Sequence, residues 1–279
     1  WGIQHSQLPA PTAKGDELKS LLTSLFNEAF PFIQGIPSTT KPTTVWKPIG
    51  IKTFAASSAV VHLFSRTVPA DELKAVASAN ESVNVDKDKI AQETWFLRQS
   101  VHKDAAELGT ATWDEFVKSF KDEHAEAELS FTESIQSTHM FQEWDCSGVE
   151  IQVDDDTWTD WTLKYEESVH KLPPPLTKRV FPVLQATASA KGRKDVLIVQ
   201  VYVDGGPTSP EAKEALRASY TSIERIRETG DGIEWTMGTV SNAKGNLPQW
   251  VQNMSIAGMV AKDVGMFLEW IPTQRKNTE

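Results

Sequence analysis

The sequence predicts an α+β fold in which a curved antiparallel β-sheet wraps around a long C-terminal α-helix. Three observations predict it. From about residue 129 to 240, apolar and polar residues alternate almost without interruption, with short connections rich in Gly, Asp and Lys, as antiparallel hairpins require. Trp250, Met254, Ala257, Ala261, Val264, Phe267/Leu268 and Ile271 then recur at 4-3-4-3 spacing, one stripe of a helix over residues 248–271 that is ~35 Å long at ~1.5 Å per residue. The chain before residue 129 mixes helical and strand periods.

In chain order, Leu18, Leu21, Leu22, Leu25, Phe26 and Ala29 predict a helix from about Asp16 to Phe30, ended by Pro31. A Pro- and Thr-rich stretch over 37–44 has no core periodicity and reads as a tether. Residues 1–48 are therefore expected to form an N-terminal helix and tether, and 49–279 the main domain. Residues 59–68 alternate as a strand, and Pro69 opens a helical stretch carrying Leu73, Val76 and Ala77. Residues 94–101 form a second strand, with Trp95, Leu97 and Val101 on one face and Phe96, Arg98 and His102 on the other. Thr112 and Glu115 form a capping box before a helix bearing Trp113, Phe116, Val117 and Phe120. Strands are then expected over 129–135, 141–151, 158–172, 179–189, 195–204, 217–228 and 233–240. Asn246 stands where the last helix would be capped, with Pro248 tolerated in its first turn.

Composition bounds the function. Of the 279 residues, 39% are hydrophobic and 24% charged, which suits a globular protein. No apolar run approaches the ~18 residues that span a bilayer, and the amino terminus lacks a secretory pattern, so the cytoplasm is expected. The single cysteine, Cys146, makes no internal disulfide and anchors no zinc site alone. Against 28 Lys+Arg stand 38 Asp+Glu, a formal charge of −10, which argues against nucleic acid as a partner. The basic cluster Lys191-Gly192-Arg193-Lys194 reads as a solvated hairpin tip, below the ~4–8 basic residues of strong lipid-headgroup signals.

The order of elements and three stretches resemble the START-like (StAR-related lipid transfer) superfamily with its helix-grip fold. One is Leu172-Pro173-Pro174-Pro175-Leu176-Thr177-Lys178-Arg179-Val180-Phe181, a proline-rich turn into a strand, with Val180 where that family commonly has Asp. The second is the run from Ser241 to Asn253, which contains Gly245-Asn246-Leu247-Pro248-Gln249-Trp250 at the entry to the last helix. The third is that helix itself. The chain is similar in particular to a fungal branch, the DUF3074 family, through residues 95–102, 110–116 and 169–175. The resemblance covers roughly Trp95 to Ile271 and implies an internal cavity for a lipid or other hydrophobic small molecule, with no cofactor.

No dinucleotide-binding loop, Walker A loop, nucleophile elbow or His-Glu-x-x-His site is present. His124 and Glu128 share a helical face crowded with charge, which reads as solvated rather than metal-binding. Arg98, His102 and His170, with Glu143, Glu166 and Arg225 in the same set, are candidates to orient a ligand head or act as acid and base. Equally, each can satisfy backbone groups or carboxylates at a sheet edge. Trp144, Trp161, Tyr165, Tyr202, Trp235, Met254, Ala257, Gly258, Val264 and Phe267 are the candidate cavity walls, a solid core being the alternative. The expected function is a non-catalytic carrier or sensor of a hydrophobic molecule, with at most transient peripheral membrane contact. A cyclase or isomerase of hydrophobic metabolites, or an interaction module with a filled core, are the other readings.

Overall fold

A computed structural model describes residues 2–35, 45–79, 88, 90–172, 176–243 and 249–276, with side chains in the last helix described from residue 255 onward. The elements run β1 (Ile3–Gln4), α1 (Asp16–Gln34), β2 (Lys47–Lys52), β3 (Val61–Val68), α2 (Ala70–Ala79), β4 (Glu93–His102), α3 (Trp113–Val117), a π-helical turn (Lys118–Asp122) and α4 (His124–Phe131). They continue with β5 (Ile135–Trp144), β6 (Ile151–Val153), β7 (Asp156–His170), β8 (Arg179–Ala190), β9 (Asp195–Asp204), β10 (Leu216–Arg217), β11 (Ser219–Thr229), β12 (Gly232–Asn242) and α5 (Gln249–Lys276).

One sheet runs in the order β2-β3-β4-β12-β11-β9-β8-β7-β5, with β1, β6 and β10 attached at β9, β7 and β8. Every neighbouring pair along that path is antiparallel. Side chains alternate across it, so the two faces bury different layers. On one face Leu18, Leu22, Phe26 and Phe30 of α1 pack on Trp158, Trp161, Leu184 and Leu197. On the other, α3, the π turn, α4 and the second half of α5 bring Phe116, Phe120, Phe131 and Phe267 onto Trp235, Ile198 and Ile226. This is the expected α+β helix-grip architecture, with α5 lying over β4 and β3.

Several boundaries depart from expectation, each for a physical reason. Helix α1 continues through Pro31 to Gln34. Proline in a helix interior costs ~3 kcal/mol, but Phe30 and Ile33 on either side are buried. Residues 129–131 end α4 instead of starting a strand, because Ala127 and Phe131, four apart, both bury into the α5-face core. The expected 141–151 strand breaks after Trp144, where Gly148 adopts a φ of 73°. The capping box forms as predicted: Thr112 Oγ1 accepts from Glu115 N and Glu115 Oε2 accepts from Thr112 N. The π turn that follows was not foreseen. Helix α5 runs past Ile271 to Lys276. The 37–44 tether, the Pro173–Pro175 run, Asn246 and Pro248 fall outside the described residues.

Candidate functional site

Alternation along three adjacent strands sets a row of side chains on the face toward α5. In register, Arg98 of β4 lies opposite Met237 of β12, which lies opposite Glu224 of β11. Arg98 reaches along this row to donate from Nη2 to Glu224 Oε1 at 3.0 Å, and both side chains are sealed from solvent. Trp235 Nε1 donates to the same oxygen at 2.6 Å, and the guanidinium carbon sits 3.8 Å from the Trp235 ring, a cation–π contact in a desolvated setting. Helix α5 supplies Asp263, whose Oδ2 is 3.9 Å from Arg98 Nε.

A second polar pair comes from α4. His124 Nδ1 is 2.8 Å from the Phe120 carbonyl, and Nε2 is 3.5 Å from Glu128 Oε1. Burial opposes a charged ring there, but Glu128, with help from Glu224 and the Phe120 carbonyl, outweighs it and holds His124 up to about 10. The structure thus buries a histidine that its charged neighbours in sequence made look solvated. Towards β7 and β8 the row continues as Gln185 donating to Glu166 at 3.1 Å, Ser222 donating to Gln200 at 3.0 Å, and Ser168 paired with His170 Nε2 at 2.9 Å. The His170 ring meets Phe181 edge-on at 4.9 Å, and Phe181 reaches Tyr220 at 6.1 Å.

Two facts about this cluster stand side by side. The Asp263 and Glu128 side chains keep 31% and 37% of their accessible surface. Yet burial, partly offset by Arg98 and reinforced by Glu128 and Glu224, pushes the Asp263 carboxyl up to about 7. Burial is likewise the dominant influence on Glu128, where His124 overcomes it, and on Tyr220, whose hydroxyl is pushed up. These groups come from α5, α4, β4 and β11.

The predicted site residues separate between the two faces. Arg98, His102, His170 and Trp235 face α5. His102 is buried against Phe116 and Trp235 and paired with Ser100 at 2.8 Å. Burial, then Arg98, pushes its ring down to about 4, and burial, partly opposed by Glu128, does the same to His170. Val264 and Phe267 pack against Phe116, Phe120 and Phe131. Ala257 packs on the Phe96–Met237–Ile256–Val260 cluster. Gly258 stands two turns before Gly265, on the flank where Gly265 meets Phe54, and Asp263 is on the opposite flank. The Met254 side chain lies outside the described set.

Trp144, Trp161, Tyr165 and Arg225 lie on the α1 face. Trp161 meets Phe26 at a tilt with centroids 4.3 Å apart, Trp144 Nε1 donates to the Ala10 carbonyl, and Tyr165 stacks on Phe141. Arg225 makes a two-pronged pair with Asp195 at 2.9 and 2.6 Å beneath Phe30. A bulge between Thr159 and Thr162 lets Trp158 and Trp161, three apart, share this face, a shift that strict alternation does not reveal. Tyr202 sits beside the N-terminal strand and donates to Asp204. Glu143 pairs with Lys164 at 3.8 Å, at the rim of an open surface cleft of about 760 Å³. A second cleft, about 650 Å³, lies over Lys103–Asp104 and residues 228–232. Neither touches the interior cluster. The basic tip is neutralised in place: Lys191 pairs with Glu150, Arg193 with Asp156 and Asp195, and Lys194 with Asp104 and Glu228.

Sequence reasoning missed Glu224, Asp263 and the inward turn of His124–Glu128. Asp263 did carry a signal. It stands three residues after Val260 and four before Phe267, a lone acid at the margin of an apolar stripe.

The family model described as a protein of unknown function, DUF3074, matches residues 95–271. Among solved structures, human STARD10 aligns with a TM-score of 0.54 at 14% identity, covering 86% of this chain and 84% of that one. Human StAR-related lipid transfer protein 5 aligns at 0.55 with 10% identity, covering 91% and 99%. Identities this low show a shared fold. Sequence comparison with curated proteins finds no match.

Proposed function

This chain belongs to the DUF3074 family and has a START-like helix-grip fold, and on that premise we propose that it holds a lipid or other hydrophobic small molecule in an interior chamber between α5, α4 and the sheet, and carries or senses it unchanged. The observation that supports this reading is the surface that Asp263 and Glu128 keep accessible beside the buried Arg98–Glu224 pair, where burial still pushes the Asp263 carboxyl up. Apolar walls come from Phe96, Trp235, Met237, Ala257, Val260 and Phe267, and Arg98, His170, Glu166 and Asp263 orient the polar end. Burying ~300 Å² of ligand apolar surface at ~25 cal/mol/Å² supplies ~7.5 kcal/mol before the costs of association. No bond-making step is required for useful affinity.

The functional unit in this proposal is residues 49–279, with 1–48 contributing α1 as a brace on the sheet's other face. No described helix is long and apolar enough to cross a membrane, so delivery would use transient peripheral contact. The cytoplasm is the proposed setting, and the acidic balance argues against nucleic acid. One observation favours a second reading, an isomerase or cyclase of hydrophobic metabolites. Asp263, held at about 7 near Arg98, has the poise of a general acid–base.

The test is uptake. Protein incubated with a eukaryotic lipid and metabolite extract, re-isolated by gel filtration and extracted should yield one enriched hydrophobic species. Recovery of a chemically altered species would move the assignment to the enzyme. No enrichment over a control protein would remove both readings and leave the filled interaction module.

A further inference from the structure

Exposed apolar side chains gather at one corner of the sheet. Strand β2 stands at the end of the sheet order, and all six of its residues are exposed. Ile51, 62% exposed, lies opposite His62 of β3, and Ile49 stands in the bulge between Pro48 and Gly50. Val60 precedes His62 by two, so it shares that face. His62 lies opposite Gln99 of β4, and the same antiparallel count brings Val60 beside Val101. Both valines are exposed. Phe64 and Leu97 mark this as the α1 side of the sheet, but α1 itself lies over β6, β9, β11 and β12. The loop after β4 adds Leu108, 84% exposed, since the adjacent Gly109 carbonyl accepts from Ser58 N and Oγ, both at 2.9 Å. Single exposed apolar residues need no explanation, whereas a group of five marks an interaction surface.

Charge says what that surface meets. Residues 45–66 carry Lys47, Lys52, His62 and Arg66 and no acid, in a chain of formal charge −10. Lys47 and Lys52 flank the two isoleucines, and neither has an ion pair among the described residues. Acids at the margin are matched, apart from Asp231 in the β11–β12 turn: Glu107 by Lys103, Glu234 by Arg227, and Asp104 and Glu228 by Lys194. A second copy docked through the β2 edge would set these lysines against their own counterparts, and Pro48 offers no N–H to an added strand. An anionic bilayer suits both halves of the pattern. Apolar tips enter the headgroup boundary while the lysines reach its phosphates.

We propose that the corner formed by β2, the 53–60 turn and the loop bearing Leu108 is the surface by which the protein docks on anionic membranes. This rests on the carrier reading above and places the transient contact that reading requires.

Co-sedimentation of the full chain with vesicles tests this. It should bind vesicles of equimolar phosphatidylcholine and phosphatidylserine, and bind phosphatidylcholine alone more weakly, with affinity for the mixed vesicles falling as salt is raised. Ile51→Glu and, separately, Leu108→Glu should each weaken binding to the mixed vesicles at least about ten-fold. Lys52→Gln should weaken it about five-fold and leave binding to phosphatidylcholine alone unchanged. Val76→Glu, at an exposed position of α2, should bind as the unaltered protein does. Absence of vesicle binding, or corner variants that bind as tightly as the unaltered protein, overturns the docking surface. So does a dimer lost in Ile51→Glu with no vesicle binding, which would assign the corner to self-association. Uptake from the lipid extract separates the two proposals. Uptake without vesicle binding overturns the surface and leaves the carrier standing, and corner-dependent vesicle binding without uptake supports the surface and overturns the carrier.

Discussion

Arg98 is the residue on which the interior turns. Its guanidinium joins β4 to β11 through Glu224, lies on Trp235 of β12, and faces Asp263 of α5. Removing one partner of a buried pair leaves the other charge uncompensated, at a cost of ~3–5 kcal/mol, whereas replacing both with apolar groups of similar volume is often near neutral. Arg98→Met should therefore destabilise by about that amount in urea titration, and Arg98→Met with Glu224→Leu should recover much of the loss. A double variant as unstable as the sum of the two singles would show that the pair is not the unit. His124 makes a pH prediction. Its folded pKa lies above the ordinary 6.5, at about 10, so the folded state binds the extra proton between those values. The stability it contributes is complete below about pH 6.5 and fades as pH rises toward about 10. The urea midpoint should fall from about pH 6 to about pH 9 more steeply in the unaltered protein than in His124→Gln. Parallel profiles would mean the imidazole is neutral when folded.

At the scale of elements, α5 is held at its end and shaped along its length. Arg275 donates to both Glu115 oxygens, at 2.6 and 2.8 Å, and to the Glu107 and Thr110 carbonyls. Glu115 also completes the α3 capping box. Glu115→Ala removes a cap contact and a charge-assisted fork together, so it should cost more than Thr112→Ala, itself expected near ~1 kcal/mol. Equal losses in thermal denaturation would mean the Arg275 fork contributes nothing. Further up the helix, a Cβ on Gly265 would stand 2.9 Å from the Phe54 ring. Gly265→Val should cost ~1–3 kcal/mol by overpacking, and Phe54→Ala should relieve part of it in a double-mutant cycle. These features show where reading by pattern ends. The length of α5 and the Thr112–Glu115 cap follow from local spacing and chemistry. The Gly265–Phe54 approach and the Arg275 fork are contacts between segments about 160–210 residues apart, and no local pattern encodes them.

For the whole molecule, the element order and period-2 patterning carried the architecture, because a sheet with two differently covered faces must alternate. The candidate site was only partly legible. Arg98 and His170 could be placed on one face by counting, but counting does not say which helix covers a face: Trp161 and Tyr165 alternate onto the α1 side, where the bulge in β7 adds Trp158. The proposed chamber lies where α4 and α5 cover strands whose polar side chains find partners on other strands: Gln185 with Glu166, Ser222 with Gln200. Glu224 and Asp263 acquire meaning only once β4, β11 and α5 are adjacent. The central claim is that the fold encloses a binding site here. It is tested most directly by purifying the protein from a eukaryotic host and comparing native with denaturing mass spectra. The account predicts a native mass exceeding the denatured mass by a single hydrophobic small molecule near one-to-one ratio, released on unfolding. Identical masses, unchanged after exposure to a lipid extract, would contradict it.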